Sequence, residues 1–203
     1  TLPEKIRAVK SDHVLLVSDR GLEAVGVVKK ISNIIEAQGI VCTQFLDVIA
    51  NPTVDIVNEA TQLYKDSGAA AIVALGGGSS MDVAKAVGGE ITEYEGFDNV
   101  PGSIVPIIAI PTTAGTGSEV TASAVISDEA RNYKLSVISY ELLPKYAILD
   151  PELIMSLPAS IAAPTGVDAL IHAIEAYLST NASPFSDAMA EKAMELIGKN
   201  IRR

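Results

Sequence analysis

Residues 71–75, Ala-Ile-Val-Ala-Leu, make a compact apolar run that stops at three consecutive glycines, Gly76, Gly77 and Gly78. An alanine-rich segment opened by Ser79 and Asp82 follows. Apolar run, side-chain-free turn and helix start in that order narrow the local structure to a buried strand feeding a helix. Ser79 is placed to cap that helix and Asp82 to favour its first turn, while the bare backbone of the glycines lets an anion approach unpaired N–H groups. A phosphate seat is one reading of such a turn. Close packing of helix on strand is the other.

The residues before it repeat the alternation. His13–Val17 is continuously apolar and ends at Ser18, Asp19 and Arg20; Leu22, Val25, Val28, Ile31 and Ile35 then recur at helical spacing until Gly39, predicting one helix. Ile40–Val48 returns to strand character, Asn51-Pro52-Thr53 turns the chain, and Val54, Val57, Ala60 and Tyr64 mark a second helix ending at Gly68. Three strands alternating with three helices predict an α/β fold: a parallel sheet with right-handed crossovers, whose ligands gather at the carboxyl ends of the strands. At 203 residues and 48% hydrophobic, the chain can bury a core of that kind. A net charge of −10 without a basic run argues against a nucleic-acid surface and against attraction to acidic membranes, leaving a small molecule as the expected partner.

The single cysteine, Cys42, cannot form an internal disulfide and falls in a predicted strand, which fits a reducing compartment. No apolar stretch reaches the length of a membrane span, and the opening TLPEKIRAVK lacks the features of a signal peptide, so a cytoplasmic protein is expected. The chain opens on Thr1 rather than methionine and ends on Arg202 and Arg203 without a helix stop signal. It is expected to be part of something longer.

Beyond the glycines, Glu90–Gly102 is polar and loop-like, and Ile104–Ile110 is another apolar strand. It leads to a second small-residue loop, Pro111–Glu119, in which hydroxyls of Thr112, Thr113, Thr116 and Ser118 alternate with glycines, a chemistry suited to phosphate and ribose oxygens. Two strands, one ending at Ser127 and one over Tyr133–Ser139, flank the turn Asp128–Asn132, and Tyr146–Asp150 is a further strand. From about Leu153 the pattern is helical, with Pro158 and Pro164 as punctuation, which places a domain boundary between 1–152 and 153–203. In the helix expected to begin near Thr165, Asp168 and His172 are four residues apart and share a face. That spacing serves either a helical hydrogen-bonded pair or two ligands of one metal ion. Glu175, one turn on, is second-shell support or polar surface; His13 is structural or superficial. The stripe Phe185, Met189, Ala193 or Met194, and Ile197 is core or docking surface. Gly117-Ser118-Glu119 is not the nucleophile elbow of a hydrolase.

Assembled, these stretches resemble the iron-containing, or group III metal-dependent, alcohol dehydrogenases. The resemblance rests on GGGSSMDVAKAVG at Gly76–Gly88, IPTTAGTGSEVT at Ile110–Thr121 and TGVDALIHAIEAYLS at Thr165–Ser179, with VSD at Val17–Asp19 and NPT at Asn51–Thr53. It implies a dehydroquinate synthase-like architecture, in which a parallel-sheet, Rossmann-like dinucleotide-binding domain precedes the start of an all-helical domain. By resemblance, Asp19 accepts the adenosine ribose hydroxyls, favouring NAD over NADP, although neighbouring Arg20 could assist a 2′-phosphate. Asn51, Gly77, Gly78 and Ser79 resemble pyrophosphate and ribose contacts; Thr112, Thr113, Thr116 and Ser118 match the second cofactor loop; Lys134 resembles a lysine near the nicotinamide ribose. Asp168 and His172 match the first two ligands of a metal, Fe²⁺ or else Zn²⁺. The family's two further ligand histidines would lie later than this chain extends, and its first segment looks shortened. The expected activity is an NAD(P)-dependent alcohol dehydrogenase or aldehyde reductase acting on a small alcohol or aldehyde, as a homo-oligomer. The alternatives are a catalytically inactive NAD-binding module and, within the fold, a glycerol dehydrogenase-like polyol oxidoreductase.

Overall fold

A computed structural model describes residues 1–87, 95–100, 102, 104–155 and 157–202. They form two compact units: Thr1–Pro111 with Ser118–Asp150, and Thr112–Gly117 with Pro151–Arg203.

The first unit is built on a five-stranded parallel sheet. A short helix α1 (Leu2–Ala8), which sequence patterning does not announce, precedes β1 (His13–Val17). Then come α2 (Arg20–Ala24), α3 (Val27–Glu36), β2 (Val41–Phe45), α4 (Val54–Ser67), β3 (Ala71–Gly76) and α5 (Gly78–Val87). Two residues, Gly96–Phe97, form β4, and β5 spans Ile107–Pro111. A hairpin of β6 (Ser123–Asp128) and β7 (Tyr133–Ile138) leads to the two-residue β8 (Tyr146–Ala147). The sheet order is β2-β1-β3-β5-β8, every neighbouring pair parallel. β6 and β7 pair antiparallel around the expected turn, and β4 adds to β7. The expected α/β fold with a parallel sheet is the one the chain adopts. β3 is buried along its whole length, and α5 lays Met81, Val83, Ala84, Ala86 and Val87 into the core with Leu15, Val17 and Ile72.

Several boundaries differ from the sequence pattern, each for a local reason. The single helix expected from Leu22 to Ile35 is two, because Gly26 takes a left-handed conformation (φ 81°) and caps the start of α3. α5 begins at Gly78, so Ser79 lies inside the first turn and does not cap it, and Asp82 bonds across to another segment instead of to its own first turn. The strands expected over Ile40–Val48, Ile104–Ile110 and Tyr146–Asp150 pair only over β2, β5 and β8. Of the loop expected at Glu90–Gly102, residues 90–94 and 101 lie outside the described residues.

The second unit is helical: α6 (Glu152–Met155), α7 (Ala159–Leu178) and α8 (Pro184–Asn200). α7 starts six residues before the expected Thr165 and runs through Pro164, while Pro158 occupies its N-cap. A proline in a helix leaves one upstream carbonyl without its N–H partner. Here the Thr165 hydroxyl donates to the neighbouring carbonyls of Ile161 (2.9 Å) and Ala162 (3.1 Å). Ser183 caps α8 by accepting from the Ser186 N–H. In the stripe on α8, Phe185 and Met189 are exposed rather than core. Among the described residues, no helix is long and apolar enough to cross a membrane.

Candidate functional site

The glycine turn is bent at Gly76, whose φ of 148° is open only to glycine at low cost. A Cβ there would stand 2.4 Å from Ser80 Oγ and 2.8 Å from Ser80 Cβ. This bend lets α5 start directly at the carboxyl end of β3, so the N–H groups of its first turn, which lack intrahelical partners, project past the strand end. Gly77, Gly78 and Ser79 are all partly accessible there.

Asn51 lies in the connection after β2, in a left-handed conformation (φ 52°). Its side-chain oxygen accepts a hydrogen bond from Lys134 Nζ at 3.0 Å, across 83 residues of sequence. The approach is prepared by the backbone: Ser127 N–H donates to Pro52 O at 2.8 Å, Ser127 bridges Thr53, and Ser127 sits opposite Lys134 in the β6–β7 ladder. Two candidate residues from distant stretches thus become direct partners.

Asp19 follows β1 and caps α2, its Oδ1 accepting from Leu22 N–H at 2.9 Å. Gly21 leaves room for it, since a Cβ there would meet Asp19 Oδ1 at 2.9 Å. Arg20 is paired twice, its NH2 with Asp47 Oδ1 and its NH1 with Glu23 Oε2, both at 2.9 Å. Three carboxylates, Asp19, Asp47 and Glu23, therefore accompany one guanidinium.

After β5 the chain enters 112–117. Thr112 is buried, Thr113 half-buried and Thr116 exposed. Gly115 packs so tightly on α7 that a Cβ would stand 2.7 Å from the Thr165 carbonyl oxygen. Ser118 is buried in the first unit, where its hydroxyl accepts from Lys85 Nζ (3.0 Å) and donates to Asp82 Oδ1 (3.1 Å).

Comparison with known proteins decides the family. A model of iron-containing alcohol dehydrogenases matches residues 1–151, and a model of the C-terminal part of the Fe-containing alcohol dehydrogenase family matches residues 162–203. The chain belongs to the iron-containing alcohol dehydrogenase family. Alcohol dehydrogenase 4 of Schizosaccharomyces pombe is 41% identical over 197 residues, covering 94% of this chain and 47% of that protein. The NAD-dependent methanol dehydrogenase of Bacillus methanolicus is 40% identical over 203 residues, covering 97% of this chain and 53% of that protein. A crystal structure of a 1,3-propanediol oxidoreductase superposes with a TM-score of 0.95 at 36% identity, covering 99% of this chain and 54% of that one. The chain spans about half the length of the curated relatives it matches.

The family's name implies iron, and the donors present fit part of such a site. On α7, Asp168 Oδ2 and His172 Nε2 are 3.7 Å apart and both side chains are accessible. Two ligands bound at about 2.1 Å to one tetrahedral ion stand about 3.4 Å apart, so this pair needs little adjustment to share one. Glu175 Oε2 lies 3.9 Å from the other ring nitrogen, Nδ1, on the side from which a carboxylate can orient a ligating imidazole. Among the described residues no group of three or more His, Cys, Asp or Glu side chains could hold a metal ion. Asp168 and His172 thus offer two donors on one helix face.

Sequence patterning passed over Lys85 and Asp47, and read Asp82 only as a carboxylate favouring the first turn of its helix. Burial pushes the Asp82 carboxyl up to about 6, against the pull of Lys85, the Val125 N–H and the Ser118 hydroxyl. Burial likewise pulls the Lys85 ammonium down to about 8, against Asp82 and Glu119. One signal was available: Asp82 and Lys85 are the only charges in the otherwise apolar or small stretch from Gly76 to Val87.

Proposed function

We propose that this chain supplies the NAD-binding half and the first two metal ligands of an NAD(P)-dependent alcohol dehydrogenase or aldehyde reductase. One observation carries the reading: Asp19, Asn51, the Gly77–Ser79 turn and Thr112 each follow the carboxyl end of a different strand of one parallel sheet. That edge is where ligands of such sheets bind. In this assignment residues 1–152 are the dinucleotide-binding domain and 153–203 the beginning of the helical metal-binding domain.

Each residue has work suited to its chemistry. The first-turn N–H groups of α5 and the Ser79 hydroxyl hold the pyrophosphate, at the positive end of the helix. Lys134, steadied by Asn51, donates to the nicotinamide ribose, and Thr113 and Thr116 donate to neighbouring cofactor oxygens. The free oxygen of Asp19 accepts from the adenosine ribose. A 2′-phosphate there would meet Asp19, Asp47 and Glu23, with Arg20 already engaged by two of them, which favours NAD over NADP. Asp168 and His172 would hold Fe²⁺, or Zn²⁺, as two of its ligands. A divalent ion there would supply a Lewis acid for the oxygen of a small alcohol or aldehyde, and the nicotinamide would supply or take up the hydride.

A donor set of two on the described residues favours one second reading, an NAD-binding module without turnover. Calorimetry separates the two. On the full-length protein, His172→Ala is expected to abolish metal-dependent turnover and stoichiometric metal uptake while leaving NAD affinity nearly intact. Full activity in that variant refutes the metal assignment, and the absence of NAD binding by the unaltered protein refutes the cofactor seat.

A further inference from the structure

α5 contains a lysine whose side chain is wholly removed from water: Lys85 is 0% exposed. Its Nζ lies within donating distance of Ser118 Oγ (3.0 Å), Thr121 O (3.0 Å), Thr121 Oγ1 (3.1 Å) and Ser123 O (2.8 Å). One turn earlier on the same helix, Asp82 accepts from the Ser118 hydroxyl at 3.1 Å and from the Val125 N–H at 3.3 Å. Both charges of α5 therefore spend their hydrogen bonds on one stretch, Ser118 to Val125, which becomes strand β6. Burying an ammonium and a carboxylate is costly, and a well-packed apolar pair is often at least as stable. Stability alone is a poor account of their presence.

Directionality is a better one. β6 is the strand whose Ser127 bonds Pro52 and lies opposite Lys134, so its placement decides where Lys134 meets Asn51. At its other end α5 opens on the glycine turn. We propose that Lys85, with Asp82, is a positioning residue of the cofactor seat: its buried ammonium fixes the β6–β7 hairpin to α5 and thereby sets the Lys134–Asn51 pair relative to the glycine turn. An ammonium can satisfy several carbonyl and hydroxyl oxygens at once in fixed directions, which no apolar side chain of that length can do. The inference rests on the reading of the glycine turn and Lys134 as NAD contacts.

The test measures NADH affinity, by nicotinamide fluorescence on the full chain, alongside thermal stability. Lys85→Met is expected to weaken NADH binding about tenfold, since it leaves buried carbonyls without a donor. The double variant Lys85→Met/Asp82→Leu removes the unpaired buried carboxylate. It is expected to recover melting temperature toward the parent while its NADH affinity stays about tenfold weaker. Thr121→Val keeps Lys85 and removes a single acceptor, and is expected to weaken binding about threefold; it decides the matter even where Lys85→Met does not fold. Parent-like affinity in Lys85→Met or Thr121→Val, or affinity that returns together with melting temperature in the double variant, overturns the positioning role. No saturable NADH binding by the parent chain overturns the cofactor reading, and the inference with it.

Discussion

Gly76→Ala is the substitution whose cost can be worked most directly from the coordinates. Two separate penalties add. The residue holds φ at 148°, and a non-glycine residue in such a region costs about 1–3 kcal/mol. The new methyl would also lie 2.4 Å from Ser80 Oγ and 2.8 Å from Ser80 Cβ, and relieving that overlap in the buried first turn of α5 costs about 1–3 kcal/mol more. The sum is about 2–6 kcal/mol, which lowers a urea midpoint by about 1–3 M at an m-value of about 2 kcal/mol per M. Urea unfolding followed by far-ultraviolet circular dichroism reads this as a midpoint shift at unchanged slope. Ser80→Gly separates the terms, because it removes both clashing atoms and leaves φ untouched. Alone it costs about 0.5–1 kcal/mol as a glycine within a helix. Combined with Gly76→Ala it is expected to recover the clash, giving a coupling energy of about 1–3 kcal/mol. A Gly76→Ala protein within about 0.5 kcal/mol of the parent, or a cycle with no coupling, refutes the close approach of Gly76 and Ser80.

Three further outcomes follow from single contacts. Gly115→Ala brings a methyl to 2.7 Å from the Thr165 backbone oxygen, so it is expected to destabilise by about 1–3 kcal/mol, and Thr165→Ala should not rescue it because the obstacle is main chain. Burial, and secondarily Glu36, push the Cys42 thiol up to about 12, so its thiolate fraction at pH 8 is about a thousandfold below that of an ordinary cysteine. Alkylation by iodoacetamide should be correspondingly slow at pH 8 and still climbing above pH 10; a plateau near pH 9 contradicts this environment. Asp47→Asn removes one of the two carboxylates held by Arg20, and is expected to improve NADPH affinity relative to NADH by about threefold, the scale of one exposed charge pair; an unchanged ratio removes Arg20 from cofactor choice.

Periodicity exposed the elements that bury apolar faces. The runs at His13–Val17 and Ala71–Leu75 became β1 and the body of β3 because a strand buried on both faces needs an unbroken apolar sequence, and the glycines after the second run form the turn into α5. What stayed hidden depends on backbone angles or on partners distant in sequence. Gly26 reads as an ordinary residue within an amphipathic pattern until its left-handed φ divides α2 from α3. Pro164 reads as a stop, yet α7 passes through it and a threonine hydroxyl serves nearby carbonyls. At the site, Asn51 and Lys134 were singled out separately by resemblance to a family motif, but their hydrogen bond is a product of the β6–β7 register.

The same contrast explains which charges sequence patterning overlooked. A charge on a helix reads by default as solvated, because that is its cheapest place. Asp82 and Lys85 violate the default, and sequence spacing alone admits a trivial i,i+3 pair on a wet surface. Their meaning comes from the segment 118–125, which arrives more than thirty residues later and supplies the oxygens and the N–H that make burial tolerable. Arg20 is the opposite case. It stays exposed and fully charged, yet the two carboxylates beside it make its neighbourhood acidic, so one basic residue next to Asp19 is a poor predictor of phosphate recognition. In both cases the sign and strength of the local field depend on residues distant in sequence, Asp47 beside Arg20 and segment 118–125 around Asp82 and Lys85, and a nucleotide approaching the strand ends would respond to that field rather than to any single side chain.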